Sequence, residues 1–145
     1  MPEQLTAIED QKASVHEAEG THLLLTLRGC RSEILNDEDE LRHLCTRAVE
    51  NTRATILQVC SQRFSPQGVT IALILAESHA SLHTYPESNT IFWDCFTCGS
   101  TCDPELSVPI LIEGLRPTSL DKQIILRNVH SESIPATNSD MSYIT

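Results

Sequence analysis

Residues 69–76, "VTIALILA", are apolar at both alternating positions of any strand that contains them. A strand in a sheet with one wet face alternates, so this run demands cover on both faces. Helices of the same chain can supply one layer. At 145 residues and 40% apolar content, the chain has enough for one core and too little for a second domain. The second cover is therefore expected from the same sheet of another copy, giving a sheet-on-sheet homodimer.

The flanking pattern predicts the elements around that strand. "HLLLTL" (22–27) reads as a first strand, and Leu41, Leu44, Cys45, Ala48 and Val49 mark an amphipathic helix introduced by "NDED", with Asp37 and Glu40 as a capping pair. "ATILQVC" (54–60) and "GVTIALILA" (68–76) form a hairpin through Pro66, Gln67 and Gly68; "SLHTY" and "TIFWDCF" form another strand pair joined by "PESN". Asp103 and Pro104 resemble a helix start, but Pro109 would disrupt a helix begun there. The prediction is a short helix with Ser107 as N-cap, Val108 and Pro109 in its first turn and Gly114 just past its end. "KQIILRNV" (122–129) is the last strand. The expected fold class is α+β, a two-layer sandwich of a mostly antiparallel sheet with two helices on one face. Residues 1–20, polar and acidic, and 131–145, rich in Ser, Thr and Pro, read as flexible tails around a domain at 21–130.

Charge narrows the function. Ten Lys and Arg against 20 Asp and Glu leave a net charge of −10, which argues against nucleic acid and suits cationic small molecules. No stretch approaches the ~18 apolar residues of a membrane helix, and the N-terminus has neither the basic start nor the apolar middle of a secretion signal. The expected location is the cytoplasm, where the six cysteines are thiols rather than a disulfide framework.

Chemistry-bearing residues collect around "AESHASLHTYPE" (76–87): Ser78, His83 five residues on, and Cys98 twenty on. Hydroxyl, imidazole and thiol are the ingredients of acyl and proton transfer. Each also has an ordinary reading: Ser78 as a turn residue, His83 as a hydrogen-bonded strand imidazole, Cys98 as a small hydrophobe. Cys95, Cys98 and Cys102 with His83 or His79 raise the question of a metal, but the chain has a single C-x-x-C where zinc sites favour two paired motifs; no metal is expected.

"GVTIALILAESHASLHTYPE" followed by "DCFTCG" resembles the bacterial-type S-adenosylmethionine decarboxylase proenzymes, whose pattern is an apolar strand, E-S-H, H-T-W-P-E and F-T-C-G. The resemblance follows element order over 22–129 and is most specific from Phe64 to Gly99. It implies that Ser78 Oγ attacks the Glu77 carbonyl, that an N-to-O acyl shift gives an ester, and that elimination cuts the chain between Glu77 and Ser78. The new terminus becomes a pyruvoyl cofactor, which forms a Schiff base with the substrate amine and accepts electrons as carbon dioxide leaves. Thr70 is implied to assist the ester step, His83 to move the proton in elimination, and Cys98 to return a proton to the substrate carbon. Phe64 and Glu87 are implied to hold the adenosyl group, with Tyr85 in place of the usual Trp; Cys95 and Cys102 read as structural, and His79 as a backbone-positioning residue. The implied activity decarboxylates S-adenosylmethionine for spermidine synthesis. Alternatives are the same chemistry on arginine or ornithine, or an unprocessed regulatory relative, against which the joint presence of Ser78, His83 and Cys98 argues.

Overall fold

Three tight turns fold the middle of the chain into a meander, and the two end strands close it on one side. The computed structural model describes residues 18–130, 133–137 and 139–140. Its elements are β1 (Glu19–Arg28), α1 (Glu38–Asn51), β2 (Ile56–Arg63), β3 (Val69–Leu75), β4 (Ser78–Tyr85), β5 (Thr90–Cys98), α2 (Val108–Leu115) and β6 (Ser119–Asn128). The strands make one sheet in the order β2-β3-β4-β5-β1-β6, with every neighbouring pair antiparallel. Element order and fold class agree with the sequence reading. β1 starts at Glu19, inside the stretch read as N-terminal tail. The remainder of that tail, 1–17, and residues 131–132, 138 and 141–145 of the other lie outside the described residues.

Both helices cover the same face. α1 starts where Asp37 Oδ1 accepts the Glu40 backbone N–H at 3.1 Å, as the capping pair predicts. Its buried stripe, Leu41, Leu44, Cys45, Ala48 and Val49, shares the core with Leu23, Leu25 and Leu27 of β1, Ile71, Leu73 and Leu75 of β3, Leu82 of β4 and Trp93 of β5. These strand positions are two apart, so their neighbours point the other way. The second face carries His22, Thr70, Ala72, Ile74, His79, His83, Phe92, Asp94 and Phe96. On it Ile74 is 49% and Phe92 47% exposed, although β3 is apolar on both sides.

The second helix starts where the sequence reading placed it, at Val108 with Ser107 in the N-cap position, and departs from that reading in three details. Asp103 Oδ1 accepts the Glu105 N–H at 2.9 Å and starts a 3-10 turn, Pro104–Ser107, that runs into α2. Pro109 falls in the first turn of α2, where its missing N–H costs nothing. Ser107 makes no capping bond; its hydroxyl accepts Trp93 Nε1–H at 3.1 Å and donates to Pro104 O at 2.6 Å. Gly114 lies within the helix, and Arg116, at φ 48°, ends it. A Cβ on Gly114 would meet Leu44 Cδ1 at 2.5 Å, so glycine is there to let α1 and α2 approach. Gly114→Ala is expected to lower stability by about 1–2 kcal/mol in urea titration, because overpacking outweighs the ~1 kcal/mol gain in helix propensity. An unchanged or raised midpoint would remove this account.

Candidate active site

The β3–β4 connection is only two residues long, Ala76 and Glu77, with Leu75 paired to Ser78 across it. So short a reversal needs a left-handed residue, and Glu77 takes that part at φ 63°. Glycine or asparagine would be comfortable there; a glutamate stores on the order of 1 kcal/mol of strain. The sequence reading ended β3 at position 76 and started the next strand at 81; β4 in fact begins at Ser78, directly after the strained residue. Ser78 Oγ donates to Ala76 O at 3.3 Å.

The β4–β5 register pairs His79 with Phe96, so two residues further along the same register Cys98 comes opposite Glu77. Cys98 Sγ donates to Glu77 O at 2.9 Å. Burial pushes this thiol up from its ordinary 9.0, and the Glu77 carboxylate and Cys102 reinforce the shift; it therefore stays protonated at neutral pH. A strained peptide, a hydroxyl on its C-terminal side and a thiol on its carbonyl oxygen meet at one sheet end. That set suits attack of Ser78 on the carbonyl of Glu77, with the thiol donating to the oxyanion.

The other predicted residues form a second group. Thr70 and His83 are cross-strand partners, with Thr70 Oγ1 2.9 Å from His83 Nδ1. Phe64 follows β2, its N–H bonded to Gly68 O at 2.8 Å, and its ring is half exposed. Gln67 Nε2 donates to Glu87 Oε2 at 3.4 Å, and Tyr85 packs on Phe92 at 5.1 Å between centroids. A shallow depression of about 220 Å³ on the open face is lined by His83, Phe92 and Asp94, among others. Phe64, Thr70, His83, Tyr85 and Glu87 lie toward the end of the sheet opposite Ser78, while the depression extends to Ser81 and Asp94 at mid-sheet. Five residues of β4 separate Ser78 from His83, about 17 Å at ~3.3 Å per residue, so one chain does not bring the two groups together.

The cysteines divide by burial. Cys95 is fully buried, its thiol pushed up to about 12 by desolvation, which fits a structural role. All six are free thiols. The metal question raised for the cysteines falls elsewhere: among the described residues, the side chains grouped closely enough to share an ion are His22, His79 and Asp94. The sequence reading did not single out His22 or Asp94; a polar side chain at an outward position of an otherwise apolar strand was the available signal. No helix among the described residues is long and apolar enough to cross a membrane.

The chain belongs to the S-adenosylmethionine decarboxylase family, whose model matches residues 21–128. It is 37% identical over 110 residues to the S-adenosylmethionine decarboxylase proenzyme of Brevibacillus brevis, covering 76% of this chain and 83% of that one. With the proenzyme of Methanococcus maripaludis it shares 38% identity over 110 residues, 76% of this chain and 90% of the relative. The crystal structure of the adenosylmethionine decarboxylase from Aquifex aeolicus superposes with a TM-score of 0.72 at 28% identity, over 83% of this chain and all of that one. A Trypanosoma brucei AdoMetDC monomer, at 13% identity and TM-score 0.56, shares the fold.

Proposed function

We propose that the chain is a self-processing decarboxylase of S-adenosylmethionine that cuts itself between Glu77 and Ser78 and acts in the cytoplasm on the route to spermidine. The observation that carries this reading is the 2.9 Å contact of Cys98 Sγ with Glu77 O beside a left-handed Glu77; the proenzyme names of the relatives support it. Ser78 Oγ turns from Ala76 O, adds to the Glu77 carbonyl carbon and gives up its proton, while Cys98 donates to the oxyanion. Expulsion of the Ser78 nitrogen, which takes a proton, leaves an ester. Removal of the Ser78 Cα–H then expels the Glu77 carboxylate and yields dehydroalanine, and water converts this to a pyruvoyl terminus with loss of ammonia. When present, that group supplies an electron sink for the decarboxylation. The local residues fit it, since the strained turn and the thiol are both in place around the bond to be broken.

We assign the proton acceptor for the Ser78 Cα–H to His83, and the separation along β4 supports its coming from a second copy. A two-fold axis lying between two facing sheets and running across the strands sets the Thr70–His83 end of one copy over the Ser78–Cys98 end of the other. The same contact covers Ile74 and Phe92. Phe64, Tyr85 and Glu87 travel with His83 and are assigned to the substrate: aromatic faces for the adenine and the sulfonium cation, carboxylate oxygens for the ribose hydroxyls. His83→Ala and Ser78→Ala chains should each remain uncut when made alone. Co-expressed, they should form mixed dimers in which the His83→Ala chain is cut. No cut chain in proven mixed dimers would remove the shared site.

The whole reading is tested by denaturing mass spectrometry and by trapping carbon dioxide from carboxyl-labelled S-adenosylmethionine, arginine and ornithine. Fragments 1–77 and pyruvoyl-blocked 78–145, with label released from S-adenosylmethionine, are expected. One intact mass in soluble protein, or label from an amino acid alone, overturns it.

A further inference from the structure

The open face also holds a cluster of which only Asp94 lines the depression described above. His22 on β1 and His79 on β4 both pair with Phe96 on β5, one from each side, and Asp94 precedes Phe96 by two residues on the same strand and face. Three neighbouring strands thus aim two imidazoles and a carboxylate at one point. His22 Nε2 is 3.9 Å from Asp94 Oδ2, and His79 Nε2 is 3.8 Å from Asp94 Oδ1. The three ligand atoms lie within 4.8 Å of one another. His22 Nε2 and Asp94 Oδ1 are buried with no hydrogen-bond partner.

Hydrogen bonding does not account for this arrangement. The gaps exceed the ~2.7–3.2 Å of such a bond, and a buried imidazole nitrogen and a buried carboxylate oxygen left without partners are each costly. The two His–Asp94 gaps, each to a different carboxylate oxygen, fall about half an ångström above the ~3.4 Å that separates donors around a tetrahedral ion with bonds of about 2.0–2.1 Å, and all three ligand atoms stay within 4.8 Å. Side-chain rotation would bring the donors to binding distance, and the His79 side chain, 51% exposed in the single chain, has room for it. Phe96 lies against both imidazoles, with centroids 5.4 and 5.9 Å away, and forms an apolar floor. Arg127, 5.0 Å over the Phe96 ring, opposes a cation; the two ring nitrogens and the carboxylate must outweigh it.

We propose that His22, His79 and Asp94 bind a divalent first-row transition-metal ion, zinc by the character of the donors, with a fourth position open to water. Two neutral imidazoles and one carboxylate are a zinc donor set that magnesium or calcium, which favour oxygen, would not select. The ion would brace β1, β5 and β4 immediately after Ser78. The inference stands on the geometry of the cluster and does not depend on the decarboxylase reading.

The full chain is stripped of metal and titrated with zinc by calorimetry and with cobalt by visible absorption. Expected are one ion per chain, the ligand-field bands of a four-coordinate cobalt site, and no sulfur-to-cobalt charge-transfer band. Asp94→Asn and His22→Gln should each weaken binding more than about 100-fold, beyond the ~10–100-fold cost of removing an outer-shell partner. His79→Gln, a change at a half-exposed position that the fold tolerates, gives the same reading if the other two variants do not fold. A charge-transfer band, stoichiometric binding that survives the folded variants, or no binding above the level of nonspecific surface sites overturns the proposal. None of these readouts involves catalysis, so inactivity toward S-adenosylmethionine would leave the site standing.

Discussion

Ser78→Ala is expected to give a single uncut chain with no carbonyl that borohydride or hydroxylamine can trap, and no detectable release of carbon dioxide. Ser78 supplies both the attacking oxygen, which leaves with the Glu77 carboxylate, and the carbons that become the pyruvoyl group, so loss of the hydroxyl abolishes cutting and cofactor formation together. The fold should survive. Ser78 is only partly buried, and its hydroxyl makes a 3.3 Å bond to Ala76 O across a turn already fixed by the β3–β4 ladder. An exposed or half-exposed bond of that kind contributes no more than about 1 kcal/mol, so the melting temperature should stay within a few degrees. A variant that is still cut at this bond would refute the assignment of Ser78. One that fails to fold would mean that the turn relies on the hydroxyl more than its geometry implies.

Cys98→Ala is expected to act twice. In the uncut chain it removes the donor on Glu77 O, and loss of one oxyanion donor slows a reaction by about 10²–10³. In the cut enzyme it removes the proposed acid, at a further cost of about 10²–10⁴ in turnover. Cys98→Ser keeps a donor on the carbonyl and should process faster than the alanine variant while remaining poor in turnover. The pH dependence follows from the direction of the thiol shift. The working form is protonated, and the pKa is raised from 9.0. Cutting of the wild-type precursor should thus hold through neutral pH and fall only above about pH 9 as the thiol ionises. A time course of gel-resolved cleavage across pH checks this. Alanine-variant cleavage at the wild-type rate, or a wild-type decline already near pH 7, would rule out the donor role.

Much of the fold was legible because local physics and tertiary packing agree along most of the chain. The α1 periodicity, the Asp37 cap and the hairpin punctuation all point to the same elements that the sheet then assembles. Agreement was partial at α2, where Ser107 holds the N-cap position but its hydroxyl serves Trp93 instead of capping, and Gly114 reads as a stop but accommodates Leu44. Both are long-range contacts, and neither leaves a mark within a window of a few residues. The strand start at Ser78 was missed for a related reason: a glutamate at a left-handed position contradicts its own preference, and only the ladder on either side holds it there.

The candidate site divides in the same way. By itself the sequence determined which residue types are present and in what order, and through "ESHASLHTYPE" and "DCFTCG" it determined the family, because those spacings are properties of the chain. It also raised the expectation of a second cover for β3, since apolarity on both faces is a matter of composition. Only the tertiary structure decided which of these residues meet. Register set Cys98 against Glu77 and Thr70 against His83, and then held the two pairs at opposite ends of β4. Strand pairing brought His22, His79 and Asp94 to one point from positions scattered over 73 residues of sequence, counted as 94 − 22 + 1. Distance along a chain carries no information about distance across a sheet, because the register that converts one into the other depends on the packing of every strand at once.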